Sequence, residues 1–102
     1  MEKDLFVASL LDVYGNFLNE KQRLLVGHYY NDDLSLSEIA ENEGITRQGV
    51  RDLIKRAEVK LYELEKECGY CHKFVRLKEL CKSVERGISP HIDEICDIID
   101  EI

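Results

Sequence analysis

Six polar side chains between residues 46 and 56 have the chemistry that proteins use to recognise duplex DNA. They are Thr46, Arg47, Gln48, Arg51, Lys55 and Arg56. Arginine pairs bidentately with guanine and glutamine with adenine, whereas lysine and threonine suit phosphate oxygens. We therefore expect Arg47, Gln48 and Arg51 to contact base edges, and the other three residues to contact phosphates. Asp52 is an unfavourable neighbour because a carboxylate repels phosphate, and it would help only by accepting from a cytosine amine.

The residues around this segment have the spacing of a helix-turn-helix. With Leu36 as the first position, the small residue Ala40 falls at the fifth and Gly44 at the ninth, where the tight turn needs glycine. The later positions that lock the two helices together are apolar, namely Ile45, Val50 and Leu53. Glu43 departs from the pattern, since the eighth position is expected to be apolar. The spacing predicts a helix-turn-helix over residues 35–66.

Capping residues mark where the helices should begin. Asn19 with Gln22, and Ser35 with Glu38, have the spacing of capping boxes, and Thr46 is a candidate N-cap for the recognition helix. Helical periodicity on both sides predicts an all-α fold of five or six helices. We expect a sigma-like or winged-helix-like core of three to four helices in residues 1–66, and a C-terminal helical extension in residues 67–102.

Apolar periodicity also predicts which side chains face inward on two of the flanking helices. For the helix after Asn19, the predicted inward residues are Leu24, Leu25, His28 and Tyr29. For the last helix, they are Ile92, Ile95, Ile99 and Ile102. That helix should begin after Gly87, with Ser89 as its cap and Pro90 at its first position.

Three segments of the chain resemble the YlxM-like family of bacterial helix-turn-helix proteins. They are EKQR at 20–23, YYNDDLSLSEIA at 29–40, and TRQGV at 46–50 followed by Ile54-Lys55-Arg56. The resemblance covers about residues 3–80, and the helix-turn-helix is also similar to the promoter-reading region of sigma factors. It implies a DNA-binding fold and a regulatory part in the signal recognition particle pathway. The cysteines and the isoleucine-rich last helix depart from the family pattern.

The charge distribution leaves a second interpretation open. The net charge of −7 is unusual for a nucleic-acid binder, which is generally basic. The deficit is concentrated at the two ends, with −3 over residues 1–35 and −5 over residues 85–102. The alternative is a protein- or RNA-interaction module that modulates the signal recognition particle GTPases.

Since neither a signal peptide nor a membrane-spanning run is evident, we expect a cytoplasmic protein with no membrane partner.

The cysteines suggest metal or haem chemistry that their context does not favour. The run Cys68-Gly-Tyr-Cys71-His72 has the spacing of a covalent haem site, and Cys81 or Cys96 could complete a zinc site. Haem attachment requires export, and a structural zinc site normally pairs two tight ligand turns. We therefore expect buried, apolar cysteines and no cofactor or metal.

No nucleophile–base spacing or phosphate-binding glycine loop is present, so we expect no enzymatic activity.

A second apolar stripe raises the question of oligomeric state. It follows the three–four spacing of a coiled-coil seam through Ile54, Ala57, Leu61, Leu64, Cys68 and Cys71. The stripe predicts either a homodimer or packing on residues 74–88 of the same chain. The extension is accordingly a candidate for dimerisation or, through its acidic last helix, for regulation.

Overall fold

The computed structural model describes residues 3–87 and 92–102, and in this part of the chain it contains helices and no strand. The elements are α1 (Phe6–Tyr14), a 3-10 turn (Gly15–Phe17), α2 (Glu20–Tyr30), α3 (Leu36–Glu43), α4 (Arg47–Cys68), α5 (Tyr70–Glu85) and α6 (Ile92–Glu101). The predicted all-α fold is confirmed. Since the described residues contain no strand, they form no β wing beside the helices. None of the helices described is long and apolar enough to cross a membrane.

Side-chain caps define the starts of α2 and α3 as the sequence predicts. Asn19 accepts from the backbone N–H of Gln22 at 2.8 Å, and the Gln22 side chain accepts from the N–H of Asn19 at 3.2 Å. Ser35 and Glu38 make the same reciprocal pair at 3.1 and 3.2 Å. Each box satisfies two backbone donors that the helix itself cannot pair.

The described residues fall into two compact units, which divide between Glu67 and Cys68. The core of the first unit collects fully buried side chains from each of its four α-helices. These are Val7 and Leu10 of α1, Leu25 and Val26 of α2, Ile39 of α3, and Val50, Ile54, Ala57 and Leu61 of α4. Such side chains stabilise the fold by roughly 1.5–3 kcal/mol each when they are large and aliphatic.

The predicted inward face of α2 is partly wrong. Leu25 and Tyr29 are buried, but Leu24 is 45% exposed and Val26 is buried in its place. His28 is not a packed core residue either. Its Nδ1 lies 2.9 Å from the carboxylate of Asp32, one turn later, and the ring is partly exposed. Helix α2 therefore turns Val26, rather than Leu24, toward the core. It contacts both α1 and α3.

Two buried glutamates tie the inner side of α4 to the preceding helices. The hydroxyl of Tyr30 donates to Glu58 Oε1 at 2.7 Å, and the hydroxyl of Tyr14 donates to Glu65 Oε1 at the same distance. Glu58 and Glu65 are only 9% and 7% exposed. Burial, followed by the hydrogen bond to Glu58, raises the pKa of the Tyr30 hydroxyl well above its ordinary value. These bonds supply partners for carboxylates that would otherwise be costly to bury.

The N-terminal segment adds a third contact between distant parts of the first unit. The hydroxyl of Tyr62 donates to the Asp4 carboxylate, and the rings of Tyr62 and Phe6 lie 6.1 Å apart. The backbone N–H of Asp4 also donates to the Tyr30 hydroxyl at 3.3 Å. The hydrogen bond to Asp4 is the main cause that raises the pKa of Tyr62 to about 12.

The second unit begins where α4 ends, at a glycine in the left-handed conformation. Gly69 has φ +68°, a backbone geometry that favours glycine, so α4 and α5 are separate helices. Within this unit α5 and α6 are in contact, and Arg76 forms an ion pair with Glu94. The predicted start of the last helix at Ser89 and Pro90 lies outside the described residues.

Two predictions about apolar faces are corrected by the observed burial. On α6 the buried residue is Ile98, while Ile92 and Ile99 are exposed, so the predicted stripe is wrong in register. The stripe proposed as a dimer seam is fully buried in the folded chain at Ile54, Ala57 and Leu61. These three side chains belong to the folded chain's own core, while Leu64 and Cys68 of the same stripe are half-buried.

The tyrosine–glutamate contacts predict a difference between two conservative substitutions. Y30F removes the donor to the buried Glu58 carboxylate, and we expect it to lower the free energy of unfolding by about 1–2 kcal/mol. Y62F removes a bond to the exposed Asp4, whose carboxylate water can solvate, so its cost should be smaller, at about 0.5–1 kcal/mol. Urea denaturation followed by circular dichroism measures both values. Equal losses in the two variants would contradict this assignment.

The raised tyrosine pKa values predict a loss of stability at alkaline pH. The folded-state pKa of Tyr62 is about 12 against an ordinary value of 10, so its contribution is complete below pH 10 and is lost as the pH rises toward 12. We expect the free energy of unfolding to fall across this window, and to fall less steeply in Y62F. Urea titrations at several pH values, with tyrosinate absorbance as a second signal, test this. Identical pH profiles for the two proteins would argue against it.

Candidate nucleic-acid interface

The turn between α3 and α4 fixes the approach of the second helix. Gly44 ends α3 with φ +68°, and the N–H of Ile45 donates back to the Ala40 carbonyl at 3.2 Å. A residue with a Cβ would be strained in this left-handed conformation. Ala40 is buried, as the close approach of the two helices requires.

The locking positions predicted for the helix-turn-helix are only partly reproduced. Val50 is fully buried, but Ile45 and Leu53 are half-buried, and Ile54 takes the fully buried place next to Leu53. Glu43 is half-buried at the edge of the helix pair, where a charged group keeps contact with water. This explains why an acidic residue is accommodated at a position where an apolar one is expected.

Thr46 caps α4, as predicted. Its Oγ1 accepts from the backbone N–H of Gly49 at 3.0 Å. A Cβ on Gly49 would approach that oxygen to 3.1 Å, so glycine leaves room for the cap. The hydroxyl proton of Thr46 is not used by this bond and can be donated to a phosphate.

The six residues predicted to contact DNA are all exposed in the structure. They lie at Thr46 and along the first three turns of α4, at Arg47, Gln48, Arg51, Lys55 and Arg56. Among the described residues, no carboxylate lies within ion-pair distance of any of the three arginines. Lys55 differs, since its Nζ lies 3.6 Å from Glu58 Oε2. The arginine charges are thus presented to solvent without an internal partner.

Asp52 has a role that sequence reasoning missed. Its Oδ1 accepts from Gln48 Nε2 at 2.9 Å, one helical turn earlier. The bond uses one of the two amide protons and leaves the second proton and Oε1 of Gln48 available for a base edge. The four-residue spacing of an amide and a carboxylate on one helix was the signal that could have revealed this contact.

A further cation adjoins this surface from outside the predicted segment. Lys3 and Arg47 line one shallow groove of about 340 Å³ beside the first turn of α3. The Lys3 ammonium contacts the exposed carboxylate of Asp33 and lies 4.7 Å from the centre of the Tyr29 ring. Because Lys3 is distant from Arg47 in the sequence, periodicity alone could not connect the two.

The four cysteines do not form a shared site. Cys71 is buried and Cys68 half-buried, but Cys81 and Cys96 are exposed, so the expectation of buried cysteines is wrong for the last two. Both lie on outward sides of their helices. Within residues 3–87 and 92–102, no group of three or more histidine, cysteine or acidic side chains is placed to hold a metal ion.

Comparison with known proteins identifies the family. The UPF0122 family, described as "Putative helix-turn-helix protein, YlxM / p13 like", matches residues 1–100. A UPF0122 protein of Clostridium kluyveri is 38% identical over 103 residues, covering all of this chain and 93% of the relative. A UPF0122 protein of Shouchella clausii is 38% identical over 104 residues, covering all of this chain and 95% of the relative. The chain therefore belongs to the UPF0122 family of YlxM/p13-like helix-turn-helix proteins.

Proposed function

We propose that this protein is a regulatory protein that binds double-stranded DNA through the N-terminal half of α4. The observation that carries the proposal is the presence of three exposed arginines, at 47, 51 and 56, without a carboxylate partner in the described part of the chain. They follow directly on the Gly44 turn, which holds α4 at a set angle to α3. In helix-turn-helix proteins the second helix lies in the major groove with its N-terminal residues at the base edges.

The proposed contacts divide by position along α4. Arg47, Gln48 and Arg51 lie on the first two turns and are assigned to base edges, with Gln48 oriented by its bond to Asp52. Thr46 and the two basic residues at 55 and 56 are assigned to phosphates, which fix the register of the protein on the duplex.

One of the two acids in the basic part of α4 is buried on the inner side of the helix. Between residues 47 and 60 the only acids are Asp52 and Glu58. Glu58 is 9% exposed, accepts from Tyr30 and lies 3.6 Å from Lys55 Nζ, so it offsets part of one lysine charge and leaves the three arginines without a carboxylate partner in the described part of the chain. The exposed acid that remains, Asp52, is hydrogen-bonded to Gln48. The local surface therefore suits phosphate better than the net charge of −7 suggests.

The net charge of −7 supports a second candidate, in which the helix-turn-helix serves as a protein- or RNA-interaction module. In that case the partners would be the RNA or the GTPases of the signal recognition particle pathway, with which the resemblance to YlxM-like proteins connects the chain. The two candidates differ in whether α4 binds duplex DNA.

A salt titration of DNA binding distinguishes them. Fluorescence anisotropy with a mixed-sequence duplex should show salt-dependent binding with a log–log slope near about −3, from three or four phosphate contacts. The double variant R47A/R51A should bind at least about tenfold more weakly, because it loses two unpaired cations. The matched control K21A/R23A removes the same charge from α2 and should bind nearly as the wild type does.

Absence of binding at low salt would contradict the proposal. Equal weakening in R47A/R51A and in the control would contradict it too, since the effect would then follow net charge rather than the α4 surface. Binding to the RNA or the GTPases of the signal recognition particle would then be measured with the same variants.

A further inference from the structure

The outward side of α4 carries an exposed apolar patch beyond the residues assigned to DNA. Val59 is 57% exposed and Tyr62 is 39% exposed. A shallow groove of about 400 Å³ runs along this part of the helix, lined by Lys55, Glu58, Val59, Tyr62, Glu63 and Lys66. Single exposed apolar residues are common, but two on adjacent turns of one helix with charged neighbours are typical of a contact surface.

Tyr62 is oriented by two contacts within its own chain. Its ring lies 6.1 Å from that of Phe6, and its hydroxyl is hydrogen-bonded to Asp4. Fixing an aromatic side chain in advance reduces the entropy lost on association, and tyrosine is among the residues that dominate binding energies. The patch therefore contains an aromatic side chain that its own chain already orients.

The exposed charges of α4 are arranged with opposite signs on the two sides of Val59. Lys55 lies four residues before Val59, and Glu63 lies four residues after it. Asp52 and Lys66 lie seven residues before and after the same position. All four charged side chains are exposed, although Lys55 also lies 3.6 Å from Glu58 Oε2 and Asp52 accepts from Gln48 within the chain. Reversing the chain direction about Val59 thus exchanges each of these four charges for its opposite.

One further exposed pair shows the same relation. Arg51 and Glu67 lie eight residues on either side of Val59, again with opposite signs. Arg56 and Tyr62 lie three residues on either side, and a guanidinium over a tyrosine ring is a favourable contact. The opposite-sign pairs extend from Arg51 to Glu67.

We infer that a second copy of this chain docks on this face, with the two α4 helices antiparallel and a two-fold axis at Val59. Lys55 then faces the partner's Glu63, and Asp52 faces the partner's Lys66, each contact occurring twice because the interface is isologous. A parallel arrangement would place Lys55 against the same lysine of the second copy, and Glu63 against the same glutamate, which is repulsive. The antiparallel dimer is distinct from the seam through Ile54, Ala57 and Leu61, which is buried.

The expected dimer is weak and sensitive to salt. The overlap from Arg51 to Glu67 spans roughly 25 Å of helix, which is short of the area of a standard stable interface. Two apolar side chains from each copy supply its centre, and exposed ion pairs, which salt screens, supply its orientation. Self-association should therefore rise with protein concentration and fall with ionic strength.

One consequence rests on the proposed function. Lys55 and Arg56 belong to both surfaces, so the dimer and the DNA complex exclude each other, and self-association withholds α4 from DNA. Association is measured in the absence of DNA, so a failure of the dimer and a failure of DNA binding are told apart.

The experiment uses sedimentation equilibrium of the full chain from about 10 μM to about 1 mM at low salt. K55E and E63K each place like charges together twice, and we expect each variant alone to dimerise at least about tenfold more weakly than the wild type. An equimolar mixture of the K55E chain and the E63K chain should regain association, because one presents only acids at these positions and the other only bases. K21E, a charge reversal on the exposed side of α2, is the control and should dimerise as the wild type does.

Recovery in the mixture, with each variant folded by circular dichroism, would support the antiparallel pairing, since neither a general charge effect nor a folding defect gives complementation. A wild-type chain that stays monomeric over the whole range would overturn it. A dimer that K55E and E63K leave unchanged would overturn it as well, because the contact would then lie on another face.

Discussion

The rotation of α4 about its own axis is the constraint on which the rest of the first unit depends. Val50, Ile54, Ala57 and Leu61 are completely buried on one side of this helix. Turning the helix by a single residue, about 100°, would expose these side chains and drive arginines and lysines into the core. Apolar burial therefore decides which residues α4 presents to solvent, and the Gly44 turn decides the angle at which it presents them.

Hydrogen bonds fix the position of α4 along its axis, which apolar burial alone leaves free. Hydrophobic contact sets the rotation of a helix but tolerates sliding along its axis, whereas the bonds from Tyr30 to Glu58 and from Tyr14 to Glu65 fix positions along it. They also withdraw two acids from the surface. These acids lie on the inner side of α4, whereas the three arginines on its outward side have no carboxylate partner in the part of the chain that the structure describes.

The outward side of α4 meets two different electrostatic requirements along its length. Near its start the exposed charges are mostly positive, which suits a polyanion. Around Val59 the charges at 52 and 66, and at 55 and 63, are opposite in sign at equal distances, which suits a second copy of the same helix in reverse. Lys55 and Arg56 lie where the two patterns overlap, and this overlap is the physical basis for coupling between self-association and access to α4.

The sequence alone determined those features whose causes lie within one or two helical turns. Capping residues set the starts of α2, α3 and α4, glycine set the turn at residue 44, and helical periodicity placed all six predicted contact residues on the outside. Only the tertiary structure decided the rest. Glu65 is a buried acceptor because Tyr14, 51 residues earlier in the chain, reaches it. Val26 replaces Leu24 in the core, and Ile98 is buried where its neighbours are not, because each helix is turned by the neighbours that pack against it. Capping residues and glycines determine where a helix begins and ends. Its buried face depends on contacts with residues distant in sequence, and the periodicity of one helix carries no information about those contacts.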